Sequence, residues 1–223
     1  YGFSFNFDRY TESLTGHNVT EVFSDSSRID ILPGVFSEYS FKGESFNVVA
    51  GLRSDYYNNT EKIYLLPRIN VKYNPTANSV MRISAGRSFR IANVFTENVS
   101  YLMSNRVVQP HSLEELNPES AWNFGINFAY CFYLNGREGQ ISLDAYRTDF
   151  ENQVIIDIEE EGVISFYNLD GSSYANSFQV DFIYELFNRF DMKLAYKMND
   201  IYSTFGSVKK RVPLTPNSRG LFN

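Results

Sequence analysis

Cysteine is nearly absent from this chain: Cys131 stands alone among 223 residues, which excludes an internal disulfide and a cysteine zinc site. Histidine is almost as scarce. His17 and His111 are the two present, both read as loop residues, and neither has a Cys, Met or carboxylate at ligand spacing. No metal and no cofactor is expected. No stretch reaches the roughly 18 apolar residues of a membrane-crossing helix. No Ser/His/Asp order and no glycine-rich phosphate loop is found, so no enzyme is expected. A net charge of −6 argues against a nucleic-acid partner. The chain begins without Met or a signal-like apolar run, and its last residues lie inside a strand pattern. Both features predict a piece of something longer, or a mature excised segment.

Alternation of apolar and polar residues is abundant. Trp122, Phe124, Ile126, Phe128, Tyr130, Phe132 and Leu134 take every second position, with Asn123, Gly125 and Asn127 between them. Phe178, Val180, Phe182 and Tyr184 alternate with Gln179 and Asp181; Met192, Leu194, Tyr196 and Met198 alternate with Lys193 and Lys197. Period two is the strand signature. It predicts strands near 2–14, 33–42, 45–55, 63–73, 79–88, 121–134, 139–150, 174–187, 190–201 and 211–223. An excursion hairpin is expected at Val154–Ile158 with Val163–Tyr167, and a short helix near 92–103. Connections alternate between tight (at 42–44, 74–78, 135–138 and 187–189) and long (15–32, 56–62, 89–120, 151–173 and 202–210). In a meander every second connection falls on the same end, so all long loops share one end, as in transmembrane β-barrels. Strand length agrees: globular strands run about 5–6 residues, whereas tilted membrane strands need roughly 9–11. The expected class is therefore all-β, an antiparallel up-and-down meander, a partial transmembrane barrel of about ten strands. A soluble β-sheet ligand-binding module is the alternative that periodicity leaves open.

Phe and Tyr make up 36 residues against one Trp (20 Phe and 16 Tyr). Several fall at strand ends, where barrel girdles lie, although β-sheets favour aromatics in general. The acidic turn Glu159-Glu160-Glu161 reads as a solvated tip, with calcium binding the less favoured option. Segment 89–120 reads as an open loop whose length costs little in stability. It brings Arg87, Arg90, Tyr101, Arg106 and His111 to the long-loop end, where binding residues gather on a rigid scaffold. These five are the substrate-binding candidates.

Several segments resemble TonB-dependent outer-membrane receptors. Leu66-Pro67-Arg68 with Tyr73-Asn74-Pro75, then Gly86-Arg87-Ser88-Phe89-Arg90, is similar to that family's paired barrel strands. Leu116-Asn117-Pro118-Glu119-Ser120 is similar to its entry into the following strand, and Tyr146 through Val154, Val212-Pro213 and Gly51-Leu52-Arg53-Ser54-Asp55 match in order and spacing. Relatives usually carry Ala-Pro after Phe-Arg, where this chain has Ile91-Ala92. The resemblance implies the middle-to-late part of a barrel of about twenty-two strands with a plugged lumen, without plug domain or terminal strand in residues 1–223. It implies transport of a scarce large nutrient (siderophore, haem, cobalamin or glycan) across a Gram-negative outer membrane, with TonB acting through the plug. A passive outer-membrane channel is the alternative. Lipid, the plug, the remaining strands and a small-molecule or glycan substrate are the implied partners. Arg53, Arg68, Lys72, Arg82, Asn123 and Asn127, with Gln179, Asp181 and Lys193, would point to lumen and plug.

Overall fold

A computed structural model describes residues 1–14, 23–104, 106–109, 116–206 and 208–223. In chain order its elements are β1 (Gly2–Leu14), β2 (Phe23–Lys42), β3 (Phe46–Tyr57), β4 (Lys62–Thr76), β5 (Ser79–Arg90), α1 (Val94–Glu97), α2 (Val99–Leu102), β6 (Val107–Val108), β7 (Glu119–Leu134), β8 (Arg137–Asn152), β9 (Val154–Asp157), β10 (Val163–Asn168), β11 (Ser173–Phe187), β12 (Phe190–Phe205), β13 (Val208–Arg211) and β14 (Ser218–Phe222). One sheet runs β1-β2-β3-β4-β5-β7-β8-β11-β12-β13, with β14 also beside β12. All its pairings are antiparallel. Among the described residues β1 does not meet β13 or β14, so the sheet is open. A second, three-stranded sheet, β6-β10-β9, contains the expected excursion hairpin.

Tight turns follow from local chemistry. Asn135 and Gly136 both have positive φ, 54° and 76°, the backbone a two-residue hairpin of the right twist requires. At the other end the strands run further than the alternation predicts. β2 begins at Phe23, ten residues before the expected start, and pairs Asp30 with Asp8 and Arg28 with Tyr10. The connection expected over 56–62 contracts to four residues, because Asn58 extends the β2 ladder with its side chain. Its Oδ1 accepts from Ile31 N at 2.8 Å and its Nδ2 donates to Ile29 O at 3.0 Å. Residues 202–210 are mostly strand as well. The contrast between short and long connections is thus weaker than expected and survives at 91–118 and 153–172, while residues 15–22 of the connection expected over 15–32 lie outside the described residues. The last expected strand, 211–223, is two pieces. Pro213 and Pro216 lack the donor a ladder needs, and Leu214 takes φ 58°.

Cross-strand partners share a face, so register separates the two sides. Lys72, Arg82, Asn127, Asp144, Gln179 and Lys197 form one row across six strands. Met81, Phe128, Leu143, Val180 and Tyr196 form a row on the other side. Among the described residues no element covers the apolar face: Phe124 is 43% exposed and Met198 50%. A soluble sheet buries such a face; an uncovered one of this extent marks contact with a membrane or partner. On β7 the apolar band runs from Leu134 to Phe124, about ten residues, roughly the 25 Å height of a barrel's lipid-facing band.

Candidate functional site

The only extended hydrophobic cluster among the described residues lies off the main sheet. Val94, Val108, Ile164 and Phe166 are buried together, with Tyr101, Leu102, Leu116, Val154 and Ile156 packed around them. The segment expected as an open loop is therefore a small packed layer. Apolar residues in α1, α2 and β6 have nowhere else to bury. Asn93 caps α1, accepting from Thr96 N at 3.4 Å. β6 lies parallel to β10, pairing Val107 with Val163 and Val108 with Ile164. Arg106 ties the layer to the hairpin by donating to Ile158 O at 2.9 Å and Val163 O at 3.3 Å.

Charged contacts fasten this layer to the polar side of the sheet. Arg90 pairs with Glu119 at 2.5 Å and with Glu97 of α1 at 3.0 Å. Lys210 of β13 pairs with Glu159 at the hairpin tip at 2.6 Å, which accounts for one of the three acidic tip residues. Tyr167 OH donates to Asp157 Oδ2 at 2.9 Å and accepts from Gly206 N at 2.9 Å. Burial, with Asp157 beside it, raises the Tyr167 hydroxyl above the ordinary phenol range, so it stays a donor at neutral pH. By register Arg90 is level with Glu119 and Lys210 with Ser203. Both share the face of Asn123 and Asn127, and so the layer stands over the polar face.

That face also holds a pocket of about 560 Å³ bounded by Arg53, Arg68, Arg90, Asp55 and Phe36. Arg53 grips Asp55 at 2.7 Å and donates to Ser4 Oγ at 3.0 Å. Arg68 is paired with Glu38. Gly34 makes room for the Asp55 carboxylate, since a Cβ there would lie 1.9 Å from Asp55 Oδ1. Further along, Arg82 donates to Asn127 Oδ1 at 2.9 Å and Asn127 donates to Asp144 at 2.8 Å. Asn123 bridges Ser88 and Thr148. Arg53, Arg68, Lys72, Arg82, Asn123 and Asn127 thus lie on one face.

The five loop candidates do not form one cluster. Arg90 holds the layer, Tyr101 packs against its core and Arg106 is spent on backbone carbonyls. His111 lies outside the described residues. Arg87 pairs with Trp122, three residues from Arg90 on the same strand and of opposite parity, yet both line the pocket that holds Arg53 and Arg68. That parity was legible in the sequence, whereas the partners Glu97, Glu119, Glu159 and Lys210 gave no local signal.

Arg87 has a different task. The β4–β5 ladder stops at Arg68↔Gly86, where Pro67 has no N–H to give. Above that point Arg87 donates to Leu65 O at 2.8 Å and to Glu151 at 2.8 Å, while Trp122 donates to Glu151 at 3.0 Å. Tyr64 and Phe89 stack across the same gap with ring centroids 4.4 Å apart. Arg87→Ala is expected to speed hydrogen exchange at 64–66 and 88–90 while thermal stability hardly changes. Unaltered exchange there would show that the seam closes without Arg87.

Over residues 1–220 the sequence matches the family described as TonB dependent receptor-like, beta-barrel. The chain belongs to the TonB-dependent receptor β-barrel family. Two crystal structures of variants of the ferric enterobactin receptor PfeA from Pseudomonas aeruginosa are similar to it at 13% and 14% identity. Each has a TM-score of 0.56 and covers 85% of this chain and 29% of the receptor. The siderophore receptor PirA, from the same organism, is similar at 8% identity with a TM-score of 0.59, over 90% of this chain and 42% of its own. At these identities the likeness speaks for the fold alone, and this TonB-dependent receptor barrel chain spans less than half the length of those receptors. No curated protein matches it. Membership explains why a sheet with an uncovered apolar face is a finished surface: lipid covers it in a barrel.

Proposed function

We propose that this chain is part of the wall of an active transporter in a Gram-negative outer membrane, taking up a scarce, large nutrient. The polar face looks into the lumen, so that Arg53, Arg68, Lys72, Arg82, Asn123 and Asn127 meet the plug and passing solute. The plug domain, the remaining strands and TonB, which supplies the energy through the plug, lie outside residues 1–223. Of siderophore, haem, cobalamin and glycan, the arrangement favours an anionic iron chelate. The observation that carries this choice is the pocket that gathers Arg53, Arg68 and Arg90 on the polar face. Three half-exposed guanidinium groups meet in this pocket, each held by a carboxylate (Asp55, Glu38, Glu119) that an anionic ligand would replace, and clefts that gather one sign of charge draw in ligands of the other. Arg53→Ala and Arg68→Ala, made in the transporter in intact cells, are expected to weaken binding of an anionic ferric chelate on the order of tenfold each (~1.4 kcal/mol). The loss should shrink as salt rises. Unchanged uptake of every anionic chelate tried, with binding of a neutral glycan or cobalamin instead, would overturn the choice.

A further inference from the structure

The polar face holds a second pocket, of about 400 Å³, nearer the short turns than the first. Lys72 and Arg82 line it and stand directly opposite each other on β4 and β5. Like charges so placed repel. Among the described residues Lys72 has no hydrogen-bond or ion-pair partner, and Arg82 donates to Asn127 Oδ1 alone. The one carboxylate in their row, Asp144, is two strands from Arg82. It takes hydrogen bonds from Asn127 at 2.8 Å and from the Tyr146 hydroxyl at 3.2 Å. The first pocket differs, because there a carboxylate holds each of Arg53, Arg68 and Arg90. Asn47, Asn70 and Ser84 add neutral hydrogen-bonding groups to the second. Gly125 lets the Tyr146 ring lie along its wall, since a Cβ there would come within 2.8 Å of that ring and 2.7 Å of Ser84 Oγ.

We propose that Lys72 and Arg82 form a second anion station, which the chelate meets after leaving the pocket of Arg53, Arg68 and Arg90. The inference rests on the reading of the polar face as lumen and of the solute as anionic. Arg68 and Lys72 share a face of β4, roughly 13 Å apart along the strand. The row of Lys72 runs on through Asn47 to Lys42, the last residue of β2, so positive charge continues toward the short-turn end. A transit site must attract its solute and still let it go. The first pocket selects, because an anion there has to displace carboxylates. The second passes the anion on. Bridging Lys72 and Arg82 relieves their repulsion, which draws the anion in; both side chains are exposed, so water weakens the hold and allows release.

The test uses the full-length transporter in intact cells, with radiolabelled ferric tricatecholate and ferric citrate as probes. Binding is measured in de-energised cells and uptake in energised ones. Lys72→Gln combined with Arg82→Gln is expected to lower the saturated uptake rate about tenfold, while half-saturation of binding stays at the parent's value. Arg53→Ala should weaken binding instead, and Lys72→Arg should transport like the parent. Lys72→Gln alone removes the repulsion, so it should fold at least as well as the parent and still lose part of the rate. Heat-modifiable migration on gels reports barrel formation for each variant. Parent-like uptake by the double variant would overturn the station. So would a loss of binding equal to the loss of uptake, since both cations would then belong to the first pocket. Entry of vancomycin, too large to cross a plugged barrel, into cells carrying the double variant would overturn it as well, by showing that the cations seat the plug. A parent that binds neither probe would instead remove the anionic-ligand reading, and the station with it.

Discussion

Phe166→Ala is expected to unfold the layer over the polar face while leaving the strands in the membrane. Phe166 is 1% exposed at the centre of the cluster formed with Val94, Val108 and Ile164. Truncating a buried phenylalanine costs about 3–5 kcal/mol. The layer is small, and the main sheet contributes little to its core, so that cost falls almost entirely on this unit. New protease cleavage within 91–118 and 153–172 should appear, together with a large loss of substrate binding and no change in membrane fractionation. Deleting 95–112 should act in the same way, since it removes Tyr101, Leu102 and Val108 from the cluster and uncovers Ile164. It is therefore not the neutral trimming that an open loop would allow. Intact protease resistance with lost binding would mean that the cluster does not hold the layer.

Phe128→Arg should cost roughly 2–4 kcal/mol of barrel stability in a bilayer, the penalty for a cation at mid-depth on a lipid-facing position. Phe128 lies in the row from Met81 to Tyr196, with apolar neighbours on both sides. Asn127→Arg should be milder: it sets a second cation beside Arg82 in place of that residue's acceptor, but Asp144 lies at hydrogen-bonding distance and the face is solvated. Denaturant titration in lipid vesicles measures both. Equal costs would contradict the assignment of the two faces.

Period-two alternation and strand length were enough to derive an antiparallel meander with one apolar and one polar face. Register then bore out that separation residue by residue, from Lys72 to Lys197 on one side and Met81 to Tyr196 on the other. The excursion hairpin was legible too, because Val154–Ile158 and Val163–Tyr167 flank an obvious acidic turn, and so was the helical turn within 92–103. The upper ends of the strands were not. Residues 23–32 and 202–205 rise beyond the apolar band, where both faces are polar or mixed and alternation carries no signal; the ladder hydrogen bonds and caps such as Asn58 extend them regardless. Nor could sequence alone tell that the described part of 91–118 packs onto the hairpin. Its apolar residues are spaced irregularly, and their partners lie some fifty residues away, so only tertiary contact decides that they form a core. The same holds for Arg87, Arg90 and Arg106. A guanidinium's role depends on which acceptor lies within about 3 Å, and those acceptors (Glu151 and Leu65 O, Glu119 and Glu97, Ile158 O) come from distant parts of the chain brought together by the fold.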